Sequence, residues 1–263
     1  MPNPRKPSLG QNFLTDTAAI QRIAESLGDV SHKLVIEIGP GRGAITNLLA
    51  EKAKALVGIE LDRTLAPILQ TRFAANASVE ILQQDILQSD LTQIVHDHAD
   101  GKAVVVGNLP YYITSDILLH LMAHGDAIEA AVVMMQREVA ERVASAPGHR
   151  EYGMLSASVQ MMAQTELLFT LPPSAFSPPP DVHSSVVRLT MHPRYAELGV
   201  ERGAFERFLR QAFAQKRKTL AKNLRNAGYD VERLKPALAG VDPNIRAEAC
   251  SLESMAEIHR ALD

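Results

Sequence analysis

Apolar residues in this chain form short continuous runs, separated by stretches in which they recur at helical spacing. Residues 34–38 form one such run, and residues 44–52 place Ile45, Leu48 and Leu49 on one face of a helix. Comparable strand-like runs follow at residues 55–59, 79–82, 103–106 and 130–135, with helical stretches such as 116–123 between most of them. This repetition predicts parallel strands joined by right-handed crossovers, and therefore an open sheet covered on both faces.

Three further stretches surround this repeat. A helix is predicted from about residue 17 to residue 27, and Phe13 and Leu14 before it are compatible with a hydrophobic staple. Strand-like runs at about 163–169 and 184–191 have no obvious helix between them, which predicts an antiparallel addition to one edge of the sheet. The proline-rich loop 172–181, with Phe176 at its centre, connects these two strands and therefore belongs to the first domain.

The pattern becomes entirely helical after His192. Residues 205, 208, 209, 212 and 213 are apolar at the spacing of one helix face. Projected on the same helix, basic residues lie on the opposite face, although Lys216 does not fit and suggests a break. We predict an α/β domain over residues 1–193 and a small all-helical domain with a basic outer surface over residues 194–263.

Composition and charge refine this picture. A single cysteine excludes an internal disulfide, and with no apolar run near about eighteen residues and no signal-like start we expect a soluble, cytoplasmic protein. The net charge of −3 argues against a uniformly basic nucleic-acid binder. However, residues 194–263 carry 13 lysines and arginines against 10 acids, whereas residues 1–193 carry 14 against 20. This asymmetry is compatible with a polyanion-binding face and equally with an unevenly charged solvated surface.

The run at residues 34–38 ends in a turn with three glycines, Gly39, Gly41 and Gly43. A strand, a glycine turn and a helix place backbone donors and a positive helix end against a ligand, as nucleotide-binding folds do. The spacing differs from the dinucleotide fingerprint G-x-G-x-x-G, and Glu37 before the turn would repel a pyrophosphate. The pattern E-x-G-x-G-x-G favours S-adenosylmethionine, while dinucleotide binding and a purely structural turn stay open.

Two acids follow the glycine turn in strand order. Glu60 ends the second strand-like run, where an acid accepts hydrogen bonds from a ribose diol. Asp85 follows the third run, where it can meet the adenine amine of a cofactor or a nearby backbone donor. Either acid alone is more typical of a solvated strand end, but after a glycine turn both are predicted cofactor ligands.

The fourth run ends in the tetrad Asn108, Leu109, Pro110 and Tyr111. The amine of adenine is a poor nucleophile, and two acceptors could draw its nitrogen toward tetrahedral geometry. The Asn108 side chain and a backbone carbonyl near Leu109 or Pro110 would serve, while Tyr111 offers a flat surface for the base. An ordinary turn is the alternative interpretation of these residue types.

Together these motifs resemble the ribosomal RNA adenine dimethyltransferases. The resemblance extends over nearly the whole chain, at residues 9–14, 37–43, 60, 85–86, 108–111, 136–142, 152–153, 176–182 and 215–220. It implies a Rossmann-like S-adenosylmethionine-dependent methyltransferase sheet with a small helical RNA-binding domain. In that domain the predicted RNA-binding residues are Arg217, Lys218, Lys222 and Arg225. It further implies dimethylation of two adjacent adenosines in the 3′-terminal hairpin of 16S rRNA, within a pre-30S particle, and a role in small-subunit biogenesis.

The resemblance also assigns roles to individual residues. It implies cofactor contacts for Asn12 and Leu14, in place of the staple interpretation, and for Gly39, Glu60, Asp85 and Asn108. It implies that Tyr111 and Phe176 are two walls that sandwich the target base. Asp116 stands where many relatives have proline, a departure that affects loop stiffness and leaves the acceptor geometry unchanged.

Two other functions stay open at this stage. Macrolide-resistance methyltransferases share the cofactor and tetrad motifs but modify one adenosine of large-subunit RNA. A mainly non-catalytic ribosome-assembly factor could also bind through the basic helices. We expect a monomer without a membrane partner. We also expect no metal site, since the pair His96 and His98 has no third ligand nearby.

Overall fold

A computed structural model of the chain describes residues 11–263, so that Leu9 and Gly10 of the first motif lie outside the described residues. Its contacts divide the chain into two units. The first comprises the residues up to Ala140 together with Gln164–Met191, and the second comprises Glu141–Ala163 and His192–Asp263. This differs from the single predicted boundary after residue 193, because Tyr152 is buried in the apolar cluster of Phe205 and Phe208.

The strands form one large sheet and one small one. They are β1 (Phe13–Leu14), β2 (Leu34–Ile38), β3 (Ala55–Glu60), β4 (Val79–Gln83), β5 (Ala103–Asn108), β6 (Ile128–Gln136), β7 (Ala163–Leu171), β8 (Phe176–Ser177) and β9 (Ser184–Met191). The large sheet has the order β4-β3-β2-β5-β6-β9-β7, and β1 pairs with β8. Strands β2 to β6 pair in parallel and β9 is antiparallel to β6, which confirms the predicted parallel sheet with an antiparallel addition.

The helices connect the strands and then build the second unit. They are α1 (Thr17–Glu25), α2 (Ala44–Lys52), α3 (Leu65–Phe73), α4 (Leu91–His98), α5 (Thr114–Ala123), α6 (Arg137–Ala144), α7 (Met154–Met162), α8 (Tyr195–Leu198), α9 (Arg202–Ala212), α10 (Leu220–Asn226), α11 (Val231–Ala237) and α12 (Leu252–Leu262). Short 3₁₀ turns lie at Ile86–Gln88, Tyr111–Ile113, Pro173–Ala175 and Ala247–Ala249. None of the described helices combines the length and the apolar character that crossing a bilayer requires.

The continuous apolar runs follow from the position of their strands. Strand β2 lies between β3 and β5, and its five residues are all buried. A parallel strand with helices on both faces has no solvent side, so its sequence need not alternate. Helix α1 starts where the Asp16 carboxylate accepts a hydrogen bond from the Ala19 N–H at 3.0 Å, which satisfies one of the free donors of the first turn.

The structure of the second unit confirms most of the predicted apolar face of α9 and corrects the predicted basic face. Phe205, Phe208, Leu209 and Ala212 are buried as predicted, whereas Phe213 caps the end of the helix and is half-buried. Helix α9 ends at Ala212, where Asn223 Nδ2 donates to its carbonyl at 2.7 Å, and the next long helix begins at Leu220. The predicted break near residue 216 is confirmed. Projecting Arg217 and Lys218 on one continuous helix was wrong, because both lie in the connection between two helices.

Candidate active site

A cavity opens where the carboxyl ends of β2, β3, β4 and β5 meet. These strands are parallel neighbours, so the residues that follow them converge on one edge of the sheet. The space between these strand ends, counted together with its solvent-open mouth, is about 820 Å³. The sequence-predicted residues that line it are Asn12, Gly39, Gly41, Glu60, Asp85, Asn108, Leu109, Pro110 and Tyr111.

The glycine turn forms one side of this cavity. Gly39, Gly41 and Gly43 have φ angles of +63°, +61° and +80°, a left-handed conformation that side chains with a Cβ rarely adopt. A Cβ on Gly41 would lie 3.2 Å from the Phe13 ring. A Cβ on Gly43 would lie 2.9 Å from Leu69 Cδ2, in the helix packed behind the turn. Gly41 therefore allows a close approach at the cavity, whereas Gly43 allows close helix packing.

Glu60 is bonded to the glycine turn. Its Oε2 accepts from the Gly41 N–H at 2.8 Å and its Oε1 from the Asp62 N–H at 2.9 Å. Burial raises the pKa of the Glu60 carboxyl, while the two backbone donors oppose that shift. Each oxygen keeps a second lone pair, so the carboxylate can still accept from a ribose diol.

Asp85 occupies the next strand end of the cavity. Its Oδ1 accepts from the Leu87 N–H at 2.9 Å and caps the short 3₁₀ turn that follows β4. With Glu60 it gives the cavity two carboxylates, and no lysine or arginine is among the described residues that line it. Two carboxylates without a basic side chain beside them fit a cofactor that carries cationic sulfonium and ammonium groups and no phosphate, as S-adenosylmethionine does.

Asn108 is oriented by a backbone group. Its Nδ2 donates to the Asn12 carbonyl at 3.0 Å, so the nitrogen end of the amide is engaged and the oxygen end serves as an acceptor. Asn12 itself lines the cavity beside Asn108. The bond thus selects the amide orientation that the predicted chemistry needs.

The same tetrad supplies a second acceptor. The Pro110 carbonyl already accepts from the Ile113 N–H at 3.3 Å and from Thr114 Oγ1 at 3.0 Å. Leu109 is anchored through its N–H to the Met134 carbonyl at 2.9 Å. Of the two predicted carbonyls, that of Leu109 is therefore the better placed to accept from an incoming amine.

Tyr111 lies where the first cavity meets a second one. The second cavity shares Tyr111 and Asn12 with the first, and its other walls include Gln136 and the loop residues Pro180, Asp181 and Val182. The Tyr111 hydroxyl and Ser184 Oγ share a hydrogen bond of 2.6 Å. Burial raises the pKa of Tyr111, so the ring stays a neutral phenol. The two cavities are therefore adjacent, and the Tyr111 ring lies in the wall of both.

Leu14 and Phe176 are the predicted residues that the structure does not bring to either cavity. They face each other across the pairing of β1 with β8. Only 7% of Leu14 and 4% of Phe176 is exposed, and both belong to the apolar cluster under the sheet. The staple interpretation is replaced by this strand pairing. On the second cavity, residues 180–182 take the place predicted for Phe176, so the sandwich of Tyr111 and Phe176 stays a prediction.

The predicted RNA-binding residues Arg217, Lys218, Lys222 and Arg225 all lie in the second unit, and all four are exposed. Lys222 and Arg225 are three residues apart on α10, which places them on the same face.

Sequence reasoning missed several polar residues of the site. Gln136 ends β6, the parallel neighbour of β5. Ligands bind at the carboxyl ends of parallel strands, and this rule, which located Asn108, would also have located Gln136. Gln11 lines both cavities, and its Nε2 donates to Asp62 Oδ2 at 3.1 Å. Of His96 and His98, the pair considered as metal ligands, His98 is engaged elsewhere: its Nε2 forms a hydrogen bond of 2.7 Å with Glu80 Oε2. No group of three potential metal ligands occurs among residues 11–263.

Comparison with known proteins gives consistent matches. The family model described as ribosomal RNA adenine dimethylase matches residues 3–263. The protein named ribosomal RNA small subunit methyltransferase A from Acidobacterium capsulatum is 54% identical over 260 residues, 98% of this chain and 91% of the relative. Its namesake from Koribacter versatilis is 46% identical over 270 residues, 98% of this chain and 94% of the relative.

Two solved structures extend the comparison. The 23S rRNA methyltransferase ErmE is similar with a TM-score of 0.73 and 26% identity, covering 96% of this chain and 100% of that one. A dimethyladenosine transferase from Plasmodium falciparum has a TM-score of 0.76 at 23% identity, covering 94% and 95% of the two chains. The latter likeness concerns the fold alone.

Proposed function

The chain belongs to the ribosomal RNA adenine dimethylase family, and we propose that it dimethylates two adjacent adenosines in the 3′-terminal hairpin of 16S rRNA. It is an S-adenosylmethionine-dependent enzyme, and the cofactor supplies a methyl group bound to a positively charged sulfur. The observation that carries the proposal is the Asn108 amide, whose nitrogen donates to the Asn12 carbonyl and whose oxygen is left as the acceptor.

The acceptors in the tetrad explain how a poor nucleophile can react. Asn108 Oδ1 and the Leu109 carbonyl would each accept one N–H of the adenine amine and draw its nitrogen toward tetrahedral geometry. The nitrogen lone pair is then released from the ring and directed at the methyl group, so that positioning and electrostatics provide most of the rate. No strong general base is needed, because the cationic product loses its proton readily.

The cavity residues would divide the remaining work. Glu60 and Asp85 would hold the ribose and adenine of the cofactor, and Gly39 and Gly41 would let the backbone approach it. Tyr111 would hold one face of the target base in the second compartment. After the first transfer the amine retains one N–H, for which either acceptor suffices, so the same site can carry out the second transfer.

The substrate assignment rests on the second unit and on the relatives. Arg217, Lys218, Lys222 and Arg225 present positive charge at the surface, which attracts an RNA backbone by counterion release. The relatives at 54% and 46% identity are named for the small subunit, which supports a pre-30S particle as the partner. A monomer in the cytoplasm, where ribosomes assemble, is part of the same proposal.

The similarity to ErmE favours a second candidate, methylation of large-subunit RNA. A third role, assistance of ribosome assembly through the basic surface, could coexist with catalysis.

The test uses the purified chain, labelled cofactor, and separate small and large subunits from an unmethylated source. We expect label in the small subunits alone, with two methyl groups on each of two adjacent adenosines by mass spectrometry of nuclease fragments. Label in large subunits alone would support the second candidate. Binding to small subunits without label, in a preparation that binds the cofactor, would support an assembly factor.

A further inference from the structure

The residue after Tyr111 presents a second aromatic ring at the mouth of the cofactor cavity. Tyr112 belongs to the same 3₁₀ turn and lines the same cavity. Tyr111 is half-buried, whereas 62% of Tyr112 is exposed, which makes it the most exposed of the large hydrophobic side chains in residues 11–263. The proposed transfer chemistry leaves this ring without a role.

The backbone beneath Tyr112 is held on both sides. Thr114 Oγ1 donates to the Pro110 carbonyl at 3.0 Å and approaches the Tyr111 carbonyl at 3.5 Å. The Ile113 N–H also donates to the Pro110 carbonyl, at 3.3 Å. With the Tyr111 hydroxyl bonded to Ser184, the turn presents an exposed ring on a fixed support. A ring held in this way loses little conformational freedom when a flat ligand stacks on it.

The proposed substrate supplies such a ligand. Drawing one of two adjacent adenosines into the second cavity removes a stacking partner from the other, which is unfavourable for that base. An aromatic side chain restores a stacking face for any base, and its contribution is comparable to that of a neighbouring base. The exposed Tyr112 ring lies one residue from Tyr111, which lines the second cavity as well as the cofactor cavity, so it is close to the place where the unstacked base would emerge.

We propose that Tyr112 is a stacking platform for the adenosine next to the one being methylated. This proposal rests on the proposed function, since it requires two adjacent bases. Tyr111 then contacts the reacting base and Tyr112 its neighbour, one residue further along the same turn. The two adenosines exchange places on this pair of rings between rounds of transfer, so Tyr112 contributes to the selection of an adjacent pair.

The test compares Tyr112→Ala and Tyr112→Phe on unmethylated small subunits. Loss of the ring should lower kcat/KM for the particle by about 5- to 150-fold, the range that corresponds to the loss of one stacked base. The phenylalanine variant should stay within about twofold of the wild type, because the flat face is retained. Leu119→Ala is the matched control, since Leu119 is also exposed and lines neither cavity. Calorimetry should give the same cofactor affinity for all four proteins.

A second arm separates stacking from a structural effect. Small subunits assembled with rRNA that lacks the neighbouring base should react with the wild type as slowly as intact subunits do with Tyr112→Ala. The variant should lose little more on the altered RNA, because both changes remove the same stacking interaction. The proposal would be overturned if the losses of kcat/KM caused by Tyr112→Ala and by the altered RNA multiplied. Wild-type kcat/KM in Tyr112→Ala, or a loss in Tyr112→Phe equal to that in Tyr112→Ala, would also overturn it. Failure of the proposed function is recognisable separately, since the wild type would then leave small subunits unmethylated.

Discussion

In the first unit the polar groups of the candidate site are held by hydrogen bonds, whereas in the second unit the predicted RNA-binding residues lie at the solvated surface. Glu60 accepts two backbone N–H groups and Asn108 donates to the Asn12 carbonyl, all at 2.8 to 3.0 Å. Of the four predicted RNA-binding residues, Arg217 and Lys218 lie in a connection rather than in a helix. Methyl transfer depends on fractions of an ångström, while attraction between charges extends over about 10 Å at moderate salt.

This difference has a kinetic meaning. Changes in the first unit should act on cofactor binding and on kcat, because they move acceptors relative to the reacting atoms. Changes in the second unit should act on particle affinity and on its salt dependence, because they alter charge without altering the site. The expected effects on kcat therefore decrease from the glycine turn to the basic surface.

The largest effect is expected from Gly41→Val. Residue 41 has a φ of +61°, and a Cβ there would lie 3.2 Å from the Phe13 ring, so the variant displaces the wall of the cavity. We expect cofactor binding to be lost in calorimetry while the circular dichroism spectrum is retained. Gly28→Val is the control: its φ of +74° imposes the same backbone strain, but no atom lies within 4 Å of its Cβ. Equal cofactor affinity in both variants would contradict the assignment.

Asn108→Ala should lower kcat by about a hundredfold or more, since loss of one preorganised polar group typically costs about 2.7 to 4 kcal/mol of transition-state stabilisation. Particle affinity should be unchanged, because the second unit is untouched. Single-turnover assays with saturating particle measure the first quantity and filter binding the second. Asn47→Ala, at an exposed position of α2, should have the wild-type kcat. Near-normal turnover in Asn108→Ala would show that the Asn108 side chain does not serve as an acceptor for the adenine amine.

Phe176→Leu distinguishes a base-stacking wall from a core residue. Leucine preserves most of the buried volume, so the free energy of unfolding should change by less than about 1.5 kcal/mol. If the ring faces the base during transfer, kcat should still fall by about 5- to 150-fold. Urea denaturation and single-turnover assays measure the two quantities. Wild-type kcat together with a measurable loss of stability within that range would show that Phe176 acts only in the core, where the structure places it.

Reversing the charges of Arg217, Lys218, Lys222 and Arg225 should leave kcat at saturating particle unchanged. The particle Kd should rise, and the slope of log affinity against log salt should decrease by about 0.7 to 0.9 for each phosphate that the variant no longer neutralises. The matched control reverses four basic residues at the surface of the first unit, Lys52, Lys54, Arg63 and Lys102. Identical slopes for both quadruple variants would show that the predicted surface is merely solvated.

The parts of the fold that follow local patterns were predictable. The bounds of β2 and α2 agree with the prediction to the residue, because a buried strand and a glycine turn both leave clear local signals. The cavity residues at strand ends follow from the parallel order of the sheet. Helix α7 was not predicted, and its association with the second unit depends on Tyr152 packing among residues far along the chain.

The placement of Phe176 shows why the rest could not be predicted. An aromatic residue in a proline-rich loop is compatible with an exposed wall and with a buried anchor. The choice is made by the pairing of Leu14 with Phe176, a contact between segments that are distant in sequence. Local propensity contains no information about such a pairing.

That same pairing has a consequence for biosynthesis. The segment that carries Asn12 is made before the β8 segment that anchors it, which emerges about 160 residues later. The entropic cost of closing so long a loop is only slightly larger than that of closing a shorter one. However, the loop cannot close before both of its ends have been made. The parallel strands can therefore assemble on the nascent chain while the cavity still lacks a fixed wall. An enzyme that modifies ribosomal RNA thus completes this wall only after its β8 segment has left a ribosome.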